Sequence, residues 1–226
     1  MSSLVDDRSA NEPEVIDDPR GRRRSARVAS NRNDILDAAE RVFAGKGPTA
    51  GSLRDIAKAA GFSTAAIYNY FENKQDLLEA TLLRRSVALD EALQSAAAGV
   101  EQPLDKLHAI VDAAITFFGA YPDFRRLLNH GPVTDEALGH AIAELAVDNA
   151  DIFTSIVGLI IDAIIAGQAV GRIREGNPVA LSRLFMALVN EHVVLSSGPD
   201  QGRDGLTSEQ FHDLVDGAFR SRGGRL

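Results

Sequence analysis

Apolar residues recur along most of this chain at helical spacing, with no convincing two-residue alternation, and the pattern predicts an all-α protein. From Arg32 onward Ile35, Leu36, Ala39, Val42 and Phe43 stand at i, i+1, i+4, i+7 and i+8, one stripe of a first helix that Gly45 and Gly47-Pro48 stop. Ser52 opens a second helix with Asp55 three residues later, and Leu53, Ile56, Ala57 and Ala60 face inward until Gly61 ends it. Ser63 is placed to cap a very short third helix running from Thr64 to about Phe71, since Gly61-Phe62 leaves only a tight turn between the two. Asn73, with Asp76 at the third position, caps a fourth helix that carries Leu77, Leu78, Leu82 and Leu89 towards Ser95.

The second half repeats this grammar. Pro103 starts a helix through Leu107, Ile110, Val111, Ala114, Ile115 and Phe118 to Tyr121, and Pro122 restarts the chain as a short helix to about His130. Thr134 is expected to cap a long helical region to about Ala169, apolar on so many sides around Ile152 to Ile165 that more than one face must be covered. Asn177-Pro178 opens another helix through Leu181, Leu184, Phe185, Leu188 and Val189. After the polar loop Ser196 to Gly205, Thr207 and Gln210 form a capping box for a last helix holding Phe211, Leu214, Val215 and Phe219. About nine helices result. They divide into an arm over residues 1–30, read as disordered without DNA, a helix-turn-helix domain over 31–78 and a helical domain over 79–226.

Charge changes the picture only when it is divided along the chain. The whole is −8, yet residues 1–19 carry −5, residues 20–80 carry +4 and the remainder carries −7. A cationic module fused to an acidic one suits nucleic-acid contact confined to one end. The absence of cysteine removes disulfides and thiolate chemistry, and five scattered histidines leave a metal centre unexpected. No cofactor is implied. No apolar stretch approaches about 18 uncharged residues, and the N-terminus lacks the order of a secretory signal, so a cytoplasmic protein without membrane contact is expected.

The run Leu53 to Leu78 has what a helix-turn-helix needs. Leu53, Ile56, Ala57, Phe62, Ile67 and Phe71 can pack two short helices at a steep angle, while Ala65 and Ala66 leave the second slim enough for a major groove. Across Asn33 to about Leu83 the sequence resembles TetR-family regulators, through Ile56-Ala-x-x-Ala-Gly61, Tyr68-x-Tyr-Phe71 and Lys74-x-Asp-Leu-Leu78. Two positions depart from the family pattern: Gly51 stands where Thr is common, and Pro48 where an aromatic is common. The resemblance implies that Thr64, Ala65, Ala66 and Asn69 face bases, that Arg54 touches base or phosphate, and that Ser52, Ser63, Tyr68 and Lys74 hold phosphates. The chemistry agrees, since hydroxyls, lysine and helix N-terminal amides donate to phosphate and Asn can read an adenine edge. Ser52 and Ser63 would cap helices even in a protein that never met DNA. The cluster Arg20 to Arg27, with Arg22, Arg23 and Arg24 at its centre, is either a solvated tail or an arm reaching phosphates or the minor groove.

The resemblance further implies a homodimer on palindromic operator DNA, paired through Pro178 to Ser196 and Ser208 to Arg220, and a cavity for a small, mainly apolar ligand whose entry releases the operator. Phe117, Phe118, Tyr121, Phe124, Phe153, Phe185, Met186 and Asn190 are the candidate lining, with plain core packing the alternative for each. Two rival readings stay open. One is a DNA-binding dimer without a ligand; the other is an all-helical enzyme using His108, His130, His140 or His192 beside Asp112, Asp135, Glu144 or Glu191, although no such pair sits in a catalytic motif.

Overall fold

The computed structural model describes residues 19–130, 135–196 and 205–221, and among these ten α-helices and no strand occur. In chain order they are α1 (Pro19–Lys46), α2 (Leu53–Ala60), α3 (Thr64–Ile67), α4 (Lys74–Ala97) and α5 (Pro103–Ala120). They continue with α6 (Pro122–Asn129), α7 (Glu136–Asp148), α8 (Ala150–Ala169), α9 (Pro178–Leu195) and α10 (Ser208–Phe219). The caps expected from sequence form. Ser52 and Thr207 close reciprocal capping boxes with Asp55 and Gln210, and Ser63, Asn73 and Asn177 accept backbone N–H groups at the starts of α3, α4 and α9.

Three expectations are revised. First, α1 begins at Pro19, so residues 19–30, expected as a disordered arm, are helical, while residues 1–18 lie outside the described residues. Secondly, α3 stops at Ile67 and the chain continues as hydrogen-bonded turns, with the Tyr70 N–H donating to the Ile67 carbonyl at 2.9 Å. Thirdly, the region to Ala169 is two helices broken at Asn149, which leaves helical geometry (φ −126°, ψ 43°). Thr134 lies outside the described residues; Asp135 accepts the Leu138 N–H at 3.2 Å at the start of α7.

Two apolar cores stack along α4. The first joins Ile35, Leu36 and Phe43 of α1 to Ile56, Ile67, Phe71, Leu77 and Leu78, and is closed by Phe117, Phe124, Leu127 and Leu138 from the helical domain. The second gathers Leu93, Leu107, Ile110, Val111, Ile160, Ile164, Phe185, Phe211, Val215 and Phe219. Because α4 supplies Leu77 to Leu82 to one and Leu93 to Ala97 to the other, it is a strut common to both. Each such side chain contributes about 1.5–3 kcal/mol by burial, so the first core ties the helix-turn-helix to the rest of the chain.

By length and composition α8 and α9 are apolar enough to cross a membrane, but each carries two charged residues, Asp151 and Asp162 in α8 and Arg183 and Glu191 in α9, so neither holds an uncharged stretch of about 18 residues. Both pack on the second core through Ile160, Ile164, Phe185 and Val193, and Asp162 interrupts α8 midway. Their outer faces are bare: Ile165, Val179, Leu184 and Leu195 are each about half exposed.

Candidate nucleic-acid interface

The α2–turn–α3 unit is set by local hydrogen bonds before any tertiary packing. Ser52 Oγ accepts the Asp55 N–H at 3.1 Å while its own hydroxyl donates to Asp55 Oδ2 at 2.7 Å. Lys46 lies 2.8 Å from the other Asp55 oxygen. The Lys46 ammonium and the Ser52 hydroxyl hold the Asp55 carboxyl down at about 2. Gly61 ends α2 at φ 74°, ψ 24°, a left-handed conformation that glycine enters without a Cβ clash, and the Phe62 N–H returns to the Ala57 carbonyl at 2.9 Å. Ser63 then caps α3 by accepting the Ala66 N–H at 3.1 Å.

Buried Ile67 and Phe71 seat α3 against Ile56 and Ala57. The opposite side of the unit offers Ala65, Tyr68 and Asn69 exposed, with Thr64 and Ala66 half-buried beside them. This surface is narrow because its first turn carries only threonine and alanine side chains, which is the shape a major groove admits. Ser52 and Arg54 lie exposed at the start of α2. Lys74 is half-buried and already engaged: its ammonium donates to the Pro48 and Thr49 carbonyls at 2.9 and 3.0 Å, which leaves one N–H for a phosphate. Arg23 is exposed on the N-terminal part of α1; the side chains of Arg22 and Arg24 lie outside the described residues.

Gly51, one of the two departures from the family pattern, has a steric reason. A Cβ there would stand 3.0 Å from the Phe43 ring and 3.1 Å from the Gly47 carbonyl oxygen, so a threonine would require these neighbours to give by a few tenths of an ångström. The α1–α2 turn also meets the helical domain. Asp135 accepts the Thr49 N–H at 3.1 Å and the Thr49 hydroxyl at 2.8 Å, and His130 Nε2 lies 3.1 Å from the Ala44 carbonyl. Burial alone would raise the Asp135 carboxyl, but the hydrogen bonds from Thr49, Leu138 and Ala137 outweigh it and hold it below the usual carboxylate range. A second joint lies between α1 and α4. Glu40, buried in the apolar stripe of α1, receives Arg85 Nε at 2.7 Å and an Arg84 amino group at 3.2 Å, and Arg85 stacks 3.9 Å over the Tyr121 ring.

Sequence reasoning missed both joints. Glu40 was visible in principle, since it stands four residues after Leu36 and three before Phe43 on a face otherwise apolar. Asp135 gave no comparable signal.

A cavity of about 160 Å³ opens in the second core, lined by Leu89, Leu93, Ile110, Ala114, Phe118, Ile156, Ile160, Phe185, Met186, Val189 and Asn190. Phe118, Phe185, Met186 and Asn190 of the expected lining are there. Phe117, Tyr121, Phe124 and Phe153 are not; they pack in or against the first core, where Phe117 meets Tyr121 and Phe124 at ring distances of 4.7 and 6.4 Å. Phe118 therefore touches both regions, stacking with Phe124 on one side and facing the cavity on the other. Asn190 is the one polar residue of the lining.

Residues 35–81 match the family model of bacterial regulatory proteins, tetR family. The transcriptional repressor BepR of Brucella suis is 37% identical over 98 residues, which is 43% of this chain and 47% of that protein. The chain thus spans less than half the length of the curated relatives it matches. Among solved structures, the fatty acid degradation regulator FadR from Bacillus halodurans superposes with a TM-score of 0.67 at 21% identity, covering 82% of this chain and 97% of that one. AibR in complex with isovaleryl coenzyme A and operator DNA superposes with a TM-score of 0.64 at 22% identity, covering 83% and 97%. At these identities the two structures speak for the fold.

Proposed function

We propose that this chain, whose residues 35–81 match the family model of bacterial regulatory proteins, tetR family, is a dimeric transcriptional repressor that releases palindromic operator DNA when a small apolar ligand enters its helical domain. The observation that carries the DNA-binding part is the surface of α3, where a cap at Ser63 and an anchor at Ile67 fix Thr64, Ala65, Ala66 and Asn69 in a narrow projecting face. Asn69 reads a base edge, and the Tyr68 hydroxyl, Arg54, Ser63 and the remaining Lys74 N–H hold phosphates. Ser52 serves first as a cap, its hydroxyl hydrogen already given to Asp55.

One reader of four helical residues supplies little affinity, and two-fold pairing is the remedy. The half-exposed Leu184 and Leu195 of α9 and Leu214 of α10 supply an apolar face for a second copy. The cavity supports the ligand reading. Its size suits a group about as large as a benzene ring, and only Asn190 offers a hydrogen bond, so the expected occupant is a short hydrocarbon or acyl moiety with one polar atom. The cavity touches α4 at Leu89 and Leu93, the same helix that begins at Lys74 beside the reader. Tilting α4 would alter the spacing of the two readers.

The test is a genomic-fragment selection with the full chain, followed by titration of the recovered duplex. The proposal requires a palindromic site, two chains per site and weaker binding by Asn69→Ala at defined base pairs. Equal affinity for the recovered and a scrambled duplex would overturn it.

A further inference from the structure

The N-terminal part of α1 contributes to neither apolar core. The buried stripe of the helix starts at Ile35, whereas every described side chain from Ser25 to Ser30 is exposed, and Val28 is the one large apolar residue among them. About a dozen residues of helix with no apolar face gain little from burial, so their composition reflects another role. That composition is basic: Arg20, Arg22, Arg23, Arg24 and Arg27 fall within eight positions. Arg20, Arg23 and Arg27 stand at i, i+3 and i+7, one face of the helix, and all three are exposed.

The root of this extension is fixed beside the reader. Asn31 donates from its amide to the Tyr70 hydroxyl at 3.0 Å, and the Arg32 guanidinium lies 5.0 Å over the Phe71 ring. Tyr70 and Phe71 end the turn that follows α3, so the extension leaves the folded body from the reader's own end. At about 1.5 Å per residue, Arg27 lies roughly 6 Å and Arg20 roughly 17 Å along the axis from Asn31. A duplex rises about 3.4 Å per base pair, so this reach covers roughly two to five base pairs beyond the root.

We propose that the N-terminal extension of α1 is a second DNA-contacting element, whose Arg20, Arg23 and Arg27 face follows the phosphate backbone flanking each half-site. It adds affinity without adding base preference. The face is basic with little apolar surface, which fits a phosphate backbone and not an apolar protein groove or a bilayer. The proposal rests on α3 being the DNA reader.

The test uses the full chain and the duplex recovered by genomic selection with the wild type. Arg20→Ala/Arg23→Ala/Arg27→Ala is compared with the corresponding triple lysine variant and with Asn69→Ala, across a salt series. Removing one arginine–phosphate pair lowers the log–log salt slope by about 0.9, so the triple alanine variant should show a slope lower by roughly 2 to 5 per dimer. It should bind about ten- to a hundredfold more weakly at about 0.15 M salt with unchanged ranking of single-base operator variants. The lysine variant should keep the slope. Trimming the duplex by about five base pairs outside each half-site, the full reach of the extension, should weaken the wild type towards the triple alanine variant and leave that variant unaffected. If the triple alanine variant matches the wild type in slope and affinity while Asn69→Ala alters base ranking, the extension is no DNA element and the reader stands. If the wild type itself ranks no base pairs, the reader assignment fails as well.

Discussion

We predict that Glu40→Gln will loosen the joint between the helix-turn-helix and the helical domain. The Glu40 side chain is 5% exposed and is met by Arg85 at 2.7 Å and Arg84 at 3.2 Å. The amide keeps the shape and removes the charge, leaving two guanidiniums with, among the described residues, the half-exposed Asp37 opposite them. Breaking a buried ion pair from one side costs about 3–5 kcal/mol. Here the arginine side chains retain 23% and 15% exposure, and water there recovers part of the loss. We expect about 2–3 kcal/mol, and with a chain of this size a fall in Tm of roughly 5–10 °C. Urea denaturation of wild type, Glu40→Gln, Arg85→Met and the double variant gives both the loss and the coupling, which should exceed about 1 kcal/mol. A loss below about 0.5 kcal/mol for Glu40→Gln would refute the reasoning, because Glu40 would then be solvated despite its place in the α1 stripe.

Four further outcomes follow from the same structure. Leu184→Glu puts a charge on the exposed apolar face of α9 and should give monomers in sedimentation, with loss of operator affinity but little change in the urea midpoint. Ala114→Leu adds three carbons at the cavity wall and should abolish thermal-shift responses to small hydrocarbon acids while operator binding persists. Burial among Phe211 and its neighbours, and then the His212 charge, lower His192, so its neutral form is the folded one; its contribution is intact above about pH 6.5 and is lost as pH falls below that value. The urea midpoint should therefore fall more from about pH 7.5 to about 5.5 in wild type than in His192→Gln, and equal falls would show that His192 plays no part. Asp135→Ala removes both oxygens that accept from Thr49 and should weaken the reciprocal effect of ligand on operator affinity, measured by titrating either partner in the presence of the other.

The helix-turn-helix was legible because its information is local. Ser52 with Asp55, Gly61, Ser63 and Asn73 declare their caps within four residues, and Ile56, Ala57, Ile67 and Phe71 sit at spacings that bury them together in one core. The cavity was legible by half, since aromatic residues cluster on α5 and α6 whether they fill a core or border a void. Phe117 and Phe124 close the first core while Phe118, one position on, turns to the second. The joints at Glu40 and Asp135 were not legible, because their partners lie 44 to 86 positions away and nothing in local spacing names them. The helical state of residues 19–30 escaped for the opposite reason: apolar periodicity is the primary signal for a helix, and this stretch has none.

Titration of the selected duplex and a scrambled duplex of equal length with the full chain, at one salt concentration and with stoichiometry read in the same experiment, bears most directly on the DNA-reading role of α3. Two chains should bind per palindrome, with at least about a thousandfold preference for the selected duplex, and Asn69→Ala should lose part of that preference. Binding of one chain per duplex, or equal affinity for both sequences, would contradict that role.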